Sequence, residues 1–522
     1  MTTTDSPQVD DLLDELRRRE VRLTVRGEQL DYDAPADALD ADLLATMRRL
    51  KPALLARLRP SGDVAGTTEV VPDGDGGGRR VLVTAPASVG QARQFQIAQE
   101  TDFPQVLTVA LRLELRGPLD RAALRRSVTD LAVRHAVLRT RFAVRDDGLC
   151  QQVLEPRPVP LPVRTVPTDQ LDRAIREWAS IPFALDREPA FRAALFQPTD
   201  GPAGPDPDRH ELALAIHHAF VDGWSVQPLL DDLAEFYQAA VTGRPADLPP
   251  LPAEYADFCR WEAEYLARPE TQRMLREWFD GLPAGTVPFR LPTDRPAAPG
   301  VTDPGGVLRH TIPAELAEAV ATYAMSRGVT PYAVYAAAFV WLMHDMTGAP
   351  VINLIASVAN RTDARFDRVV GVFAQAALVI VPVAGVASFD DLARRTSGVV
   401  WQMLARQAVP SVVQVAALGP AFTHPPTRVY FDLLDLPDPV LRLPGLEPAL
   451  ARDVVLAGSR GELTWSLRPL PEGGMWVHVE YAATRLDADT LVDWLDRYHR
   501  LLLQLLAAPD VPLPSTDDAG TT

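Results

Sequence analysis

The sequence predicts an α/β chain of at least two domains, and three observations carry that prediction. At 522 residues it is too long for one ordinary domain. Strand-like and helix-like stretches alternate from about Val81 to about Leu513. Residues 1–60 have an order of their own: helix, hairpin, helix, helix. Hydrophobic residues at 47% and charged residues at 23% are ordinary globular usage, far from the charge-rich profile of disordered chains. A net charge of −17 argues against a general binder of nucleic acid or anionic membrane. Cys150 and Cys259 are the only cysteines, too few for a cysteine-based metal cluster and far enough apart to read as two reduced thiols. With a polar, acidic N-terminus and no apolar run of membrane-spanning length, the expectation is a cytoplasmic protein.

The N-terminal unit opens with Ser6 as N-cap and Pro7 at the first helical position, followed by Val9, Leu12, Leu13 and Leu16 at helical spacing. Val21 to Val25 alternates apolar and polar side chains, Arg26 to Gln29 supplies a turn containing glycine, and Leu30 to Tyr32 returns as a second short strand. Leu39 to Leu50 and Pro52 to Leu58 read as two short helices. Ser61 to Arg80, with six glycines and little large apolar content, reads as a flexible tether. Beyond it, helix-like Leu119 to Val137, strand-like Glu211 to His217 and helix-like Val226 to Tyr237 make a first α/β cycle. Proline-rich stretches at Leu248 to Pro252 and Leu282 to Pro304 interrupt the middle. A second cycle runs from Thr330 through Val351 to Ile355 and Gly371 to Val383, ending in the helix Asp487 to Leu506. Neither a dinucleotide fingerprint nor a phosphate-binding loop occurs between a strand and a helix, so nucleotide chemistry is not signalled.

The sharpest feature is AIHHAFVDGWS, Ala215 to Ser225, where a strand ends and a helix begins. Leu212, Leu214 and Ile216 fall on one strand face and Ala213, Ala215 and His217 on the other. A continuing strand therefore sends His217 and His218 to opposite sides and leaves one working imidazole. Neutral histidine can accept a proton near pH 7 or hold a nucleophile. Asp222 is short enough to brace the turn through a charge pair, and the N–H of Gly223 could stabilise a developing oxyanion at the start of a helix capped by Ser225. Adjacent histidines also recur in metal centres, but on a strand their rings splay apart, so no metal is expected.

Two resemblances follow from these residues. LLDELRRREVRLTVRGEQLDYDAPADAL followed by KPALLARL resembles the N-terminal docking domains of tubulysin- and epothilone-type synthetases. That resemblance implies a hairpin that grips the C-terminal tail of an upstream synthetase through Val21, Leu23, Val25, Leu30 and Tyr32; a helical cap on the main body is the alternative. The His217-His218-x-x-x-Asp222-Gly223 stretch resembles the active-site motif of nonribosomal peptide synthetase condensation domains. Further pieces stand in that family's order: SVGQARQFQIAQ (Ser88 to Gln99), RHAVLRTRF (Arg134 to Phe142), Tyr255-Ala256-Asp257-Phe258 with Trp261, LPTDRP (Leu291 to Pro296), ANR (Ala359 to Arg361) and Gly371-Val372-Phe373.

The implied architecture is a docking domain at 1–60, a flexible linker at 61–80, a condensation N-lobe at 81–264, a C-lobe at 265–513 and a disordered tail at 514–522. By the same resemblance the two lobes are chloramphenicol-acetyltransferase-like and form a V-shaped pseudo-dimer around a tunnel. Donor and acceptor carrier proteins bring their 4′-phosphopantetheine arms to it, and the chain binds no cofactor of its own. Residue by residue, His218 would orient or deprotonate the acceptor nucleophile, Gly223 would offer its backbone N–H, His217 would be structural, and Asp222 would pair with Arg295. Trp224, Ser225, Phe373 and Gln375 are substrate-tunnel candidates, while Tyr255, Asp257 and Trp261 are packing and lobe-bridging residues.

The chain departs from the family pattern in the second lobe. Ala374-Gln375-Ala376 replaces Val-Asn-Thr, and Arg406-Gln407-Ala408-Val409-Pro410 stands where His-Gln-Asp-x-Pro is usual. The implied activity is condensation of a carrier-bound acyl or peptidyl thioester with an amine or hydroxyl acceptor, the departures leaving both bond types open. Alternatives are a coenzyme A-dependent acyltransferase, an epimerisation domain, or a non-catalytic module that recruits carriers.

Overall fold

The computed structural model describes residues 69–513 apart from 73–76, 147, 200–205, 207, 283–288, 297–304, 419–428, 457 and 460. Of the N-terminal unit it describes residues 12, 15, 16, 19, 21–26, 29–33, 43, 46, 47, 49–51 and 54. Two compact units result, one of Met1–Val71 with Gly78–Thr84, the other of Pro72–Gly77 with Ala85–Thr522.

In the smaller unit β1 (Arg22–Arg26) and β2 (Gln29–Asp33) form an antiparallel hairpin whose register sets Leu23 opposite Tyr32 and Val25 opposite Leu30. Helical backbone precedes it at Leu12, Glu15 and Leu16, and follows it at Leu43, Thr46, Met47, Arg49, Lys51 and Leu54, with a turn at Leu50. Leu12, Leu16, Val21, Leu43, Met47, Leu50 and Leu54 are buried. Described helical positions thus lie before the hairpin and, on either side of the turn at Leu50, after it. The Ser6 cap, the Gly27 turn, residues 61–68, the tail from residue 514 and the side chains of Leu23, Val25, Leu30 and Tyr32 lie outside the described residues.

The elements that follow are β3 (Val70–Pro72), β4 (Gly78–Pro86), α1 (Val89–Glu100), β5 (Thr108–Arg116), α2 (Arg121–Arg134), β6 (Thr140–Arg145), β7 (Gly148–Leu154), β8 (Val163–Val166), α3 (Leu171–Ala179), β9 (Phe191–Pro198) and β10 (Arg209–His217). Next come α4 (Gly223–Thr242), α5 (Tyr255–Ala267), α6 (Pro269–Asp280), β11 (Gly305–Ile312), α7 (Ala314–Arg327), α8 (Pro331–Thr347), β12 (Val351–Val358), β13 (Gln375–Pro382), α9 (Phe389–Ala405) and α10 (Ser411–Leu418). The chain ends with β14 (Val429–Leu433), β15 (Val440–Leu441), β16 (Ala449–Asp453), β17 (Leu463–Pro469), β18 (Met475–Ala482) and α11 (Ala488–Ala507). No described helix is long and apolar enough to cross a membrane.

Two six-stranded sheets divide the larger unit into two lobes, ordered β15-β16-β5-β10-β9-β8 and β11-β18-β17-β14-β12-β13. The active-site strand β10 lies between β5 and β9 and is covered on both faces, as a central strand must be when helices flank a sheet. Leu212, Leu214 and Ile216 enter the main core of the first lobe, while Ala213 and Ala215 face a smaller cluster with Trp178 and Phe196. In the second lobe α8 is buried on every side from Ala333 to Val340 and again at Leu342 and Met343, as a run of apolar residues without a polar face requires.

Two segments cross from the second half of the sequence into the first lobe. β16 pairs with β5, Arg452 standing opposite Arg112, and Phe366, Val369, Val370, Val372 and Phe373 pack in the first-lobe core. At the crossing Gly117 adopts φ +125°, and a Cβ there would approach Gly445 O to 2.8 Å, so only glycine fits.

Candidate active site

Strand β10 stops at His217, and the next five residues turn the chain into α4. The backbone there is held from both sides: His217 N–H donates to Ala190 O at 3.0 Å and His218 N–H to Leu107 O at 2.7 Å. The two imidazoles have different surroundings. His217 is 3% exposed, lies edge-on to the Phe183 ring, and accepts the Ala219 N–H at Nδ1 (3.1 Å), which places its proton on Nε2. Burial, reinforced by the neighbouring His218, pushes its pKa down to about 3. It is therefore neutral at any physiological pH. His218 is half-buried and keeps access to the space outside the core.

Asp222 is fully buried and organises the loop. Its Oδ1 accepts from Ser225 N–H (2.9 Å), lies 2.7 Å from the Ser225 hydroxyl and 3.3 Å from the guanidinium of Arg361. Its Oδ2 accepts from the backbone N–H groups of Phe373 and Ala374, both at 2.9 Å. Asp222 thus caps α4 and at the same time ties that helix to the loop entering β13. Gly223, the first residue of α4, is exposed, and its amide is one of the helix N-terminal donors without an intrahelical acceptor.

Three expectations are corrected here. Arg295 does not pair with Asp222: it makes a bidentate pair with Asp487 at 2.9 and 3.0 Å and donates to the carbonyls of Ala483 and Thr484. The arginine that reaches Asp222 is Arg361, whose side chain also donates to Val369 O and stacks over Phe373 at 4.2 Å. The helix is capped by Asp222 rather than Ser225, because a carboxylate one turn earlier takes the Ser225 amide. Ser225 and Phe373 do not line an open passage. Both are fully buried, Ser225 accepting from Gly371 N–H at 3.1 Å and Phe373 wedged among Tyr255, Phe258 and Phe366. Trp224 is half-buried, and Gln375 is 9% exposed with its amide nitrogen 3.2 Å from Glu262.

Behind this loop the Tyr255 hydroxyl donates to Val372 O at 2.9 Å and lies 3.0 Å from Ser88 Oγ. Glu262 accepts the Val89 N–H at 2.7 Å, and burial raises its pKa to about 7. Tyr255 and Gln375 therefore link the opening helix of the first lobe to the start of β13. Gly371 is required for this contact, since a Cβ there would come within 2.0 Å of the Tyr255 ring. Gly371→Ala is expected to cost about 1–3 kcal/mol through overpacking, read as a lower denaturant midpoint at unchanged slope. Among the described residues no group of three histidine, cysteine or carboxylate side chains could hold a metal ion.

Residues 82–414 match the family model described as the condensation domain, and residues 9–59 match the TubC N-terminal docking domain. The chain belongs to the condensation-domain family. This condensation protein is 32% identical over 481 residues to phosphinothricin tripeptide synthetase PhsB of Streptomyces viridochromogenes, covering 88% of this chain and 39% of that protein. Isonitrile lipopeptide synthase of Mycobacterium tuberculosis is 32% identical over 450 residues, covering 83% of this chain and 18% of the relative. The condensation protein thus spans the lesser part of the synthetases it matches. Among solved structures, the X-domain from teicoplanin biosynthesis superposes with a TM-score of 0.74 at 22% identity, covering 87% of this chain and 99% of that one. The first condensation domain of the calcium-dependent antibiotic synthetase gives 0.65 at 21% identity, covering 84% and 99%. These structures share its fold.

Proposed function

We propose that the protein transfers an acyl or peptidyl group from the phosphopantetheine thioester of a donor carrier protein to an amine or hydroxyl acceptor. The observation that carries this reading is the presence on one loop of a half-buried His218 and of the exposed Gly223, first residue of α4, with the buried Asp222 tying that loop to the 373–374 turn. In the reaction the acceptor nitrogen or oxygen bonds to the thioester carbonyl carbon and the carbon–sulfur bond breaks. The proton lost by the nucleophile passes by way of His218 to the departing sulfur, and Gly223 N–H faces the oxyanion of the tetrahedral intermediate. The remaining rate advantage comes from holding two arms in register. His217 takes no part in proton transfer, because its ring is buried and kept neutral. The N-terminal unit, through its hairpin, recruits the C-terminal tail of an upstream synthetase.

Intact-protein mass spectrometry tests the reading. An acyl-loaded carrier, incubated with this protein and a panel of amines and alcohols, is expected to lose its acyl mass in step with formation of one amide or ester. Transfer from acyl-coenzyme A with no carrier present would replace carrier dependence with a coenzyme A reaction. A carrier that binds and stays loaded would mean recruitment without catalysis.

A further inference from the structure

Several partly buried arginines of the two lobes have carboxylate partners: Arg112 meets Glu211 and Asp172, Arg134 meets Asp232, Arg361 meets Asp222 and Arg485 meets Glu462, while Arg192 donates to Ile181 O and lies over the Phe183 ring. Arg406 has no such partner. It follows the last residue of α9, is 8% exposed, and forms no side-chain hydrogen bond or ion pair among the described residues; its Nε is buried and unsatisfied. The guanidinium lies over the ring of Trp278 on α6, 4.9 Å from its centroid. Burial lowers its pKa to about 10, with no carboxylate acting in the other direction, and it stays charged at neutral pH.

A buried unpaired guanidinium is unfavourable, and an aromatic face recovers only part of the lost hydration. Its planar fork matches the paired oxygens of a carboxylate or phosphate, and Trp278 gives it a fixed plane from which to present them. We propose that Arg406 and Trp278 form a binding site for an oxyanion carried by a substrate: the carboxylate of an amino-acid acceptor that arrives free, without a carrier arm, or the phosphate of a pantetheine arm. The choice of these two sources rests on the condensation reading; the site itself rests on the missing counter-charge.

Isothermal titration on the whole chain separates the possibilities without any turnover. 4′-Phosphopantetheine is compared with pantetheine, and L-alanine with L-alaninamide, so that each pair differs in the anion. The oxyanion-bearing member of one pair is expected to bind roughly tenfold or more tightly than its partner without the oxyanion, and Arg406→Met to lose that preference while Arg406→Lys keeps part of it. Which pair responds names the source. Since Arg406→Met removes an uncompensated charge, its Tm is expected to equal or exceed that of the wild type by about 1–3 °C. Equal binding of the members with and without the oxyanion in both pairs, no binding of either anion at millimolar concentration, unchanged binding by Arg406→Met, or a lower Tm in that variant would each overturn the site. Because binding is read directly, failed acyl transfer with intact anion binding overturns only the condensation reading.

Discussion

Replacing Asp222 with alanine is expected to destabilise the protein by about 3–5 kcal/mol and to abolish acyl transfer. The carboxylate is fully buried and serves two backbone amides of the 373–374 turn, the amide and hydroxyl of Ser225, and Arg361. Its removal strands a guanidinium that is itself 9% exposed and unties α4 from β13 in the same step. Arg361→Ala leaves the opposite charge uncompensated and falls in the same range. Arg295→Ala provides the contrast. Its pair with Asp487 is solvent-exposed at 43% and 56%, so its loss is worth at most about 1 kcal/mol and leaves transfer intact. Urea unfolding of the three variants and of the double variants Asp222→Ala/Arg361→Ala and Asp222→Ala/Arg295→Ala measures this directly, Asp222 and Arg361 coupling by at least about 1 kcal/mol. Coupling of Asp222 to Arg295 instead of Arg361 would show that the loop is held by the other arginine.

The contrast between those two arginines also marks how far the sequence could be read. Local order was legible because it is written in local patterns. The strand Glu211 to His217 appears as β10 two residues longer at its start, Thr330 caps α8 just before Pro331, and Asp487 stands just before α11. The two imidazoles differ in burial, although the strand ends at His217 and its two-residue period does not reach His218. What could not be read was which distant residue meets a given charge. Arg295 and Arg361 both sit in motif-like stretches, and only the fold places residue 361, three positions past the end of β12, beside the α4 cap. The ANR stretch carried the signal for Arg361, but no local rule assigns its partner. Burial of Ser225 and Phe373 was hidden for the same reason: a small polar residue and an aromatic beside a catalytic motif look like tunnel walls until the loop 366–373 is seen to fill the first-lobe core.

His218→Ala is expected to lower the rate of acyl transfer by about 10²- to 10⁴-fold while changing stability by less than about 1 kcal/mol. The ring is half-buried beside a backbone held by Leu107 O, and that hydrogen bond comes from the main chain, so truncating the side chain leaves the loop anchored. His217→Ala should behave in the opposite manner. It removes the acceptor of the Ala219 amide and the edge contact with Phe183 from a site 3% exposed, so its main effect is on folding. The pH dependence separates the two again. His217 has its folded pKa lowered from 6.5 to about 3, so its contribution to stability is complete above pH 6.5 and is lost as acid protonates the unfolded chain between 6.5 and about 3. It cannot generate a rate profile between pH 6 and 9. A rate profile over that window should therefore be unchanged in shape by His217→Asn. A His218→Ala enzyme within about threefold of wild-type rate would remove the imidazole from proton transfer and leave positioning of the two arms and the Gly223 amide as the source of catalysis.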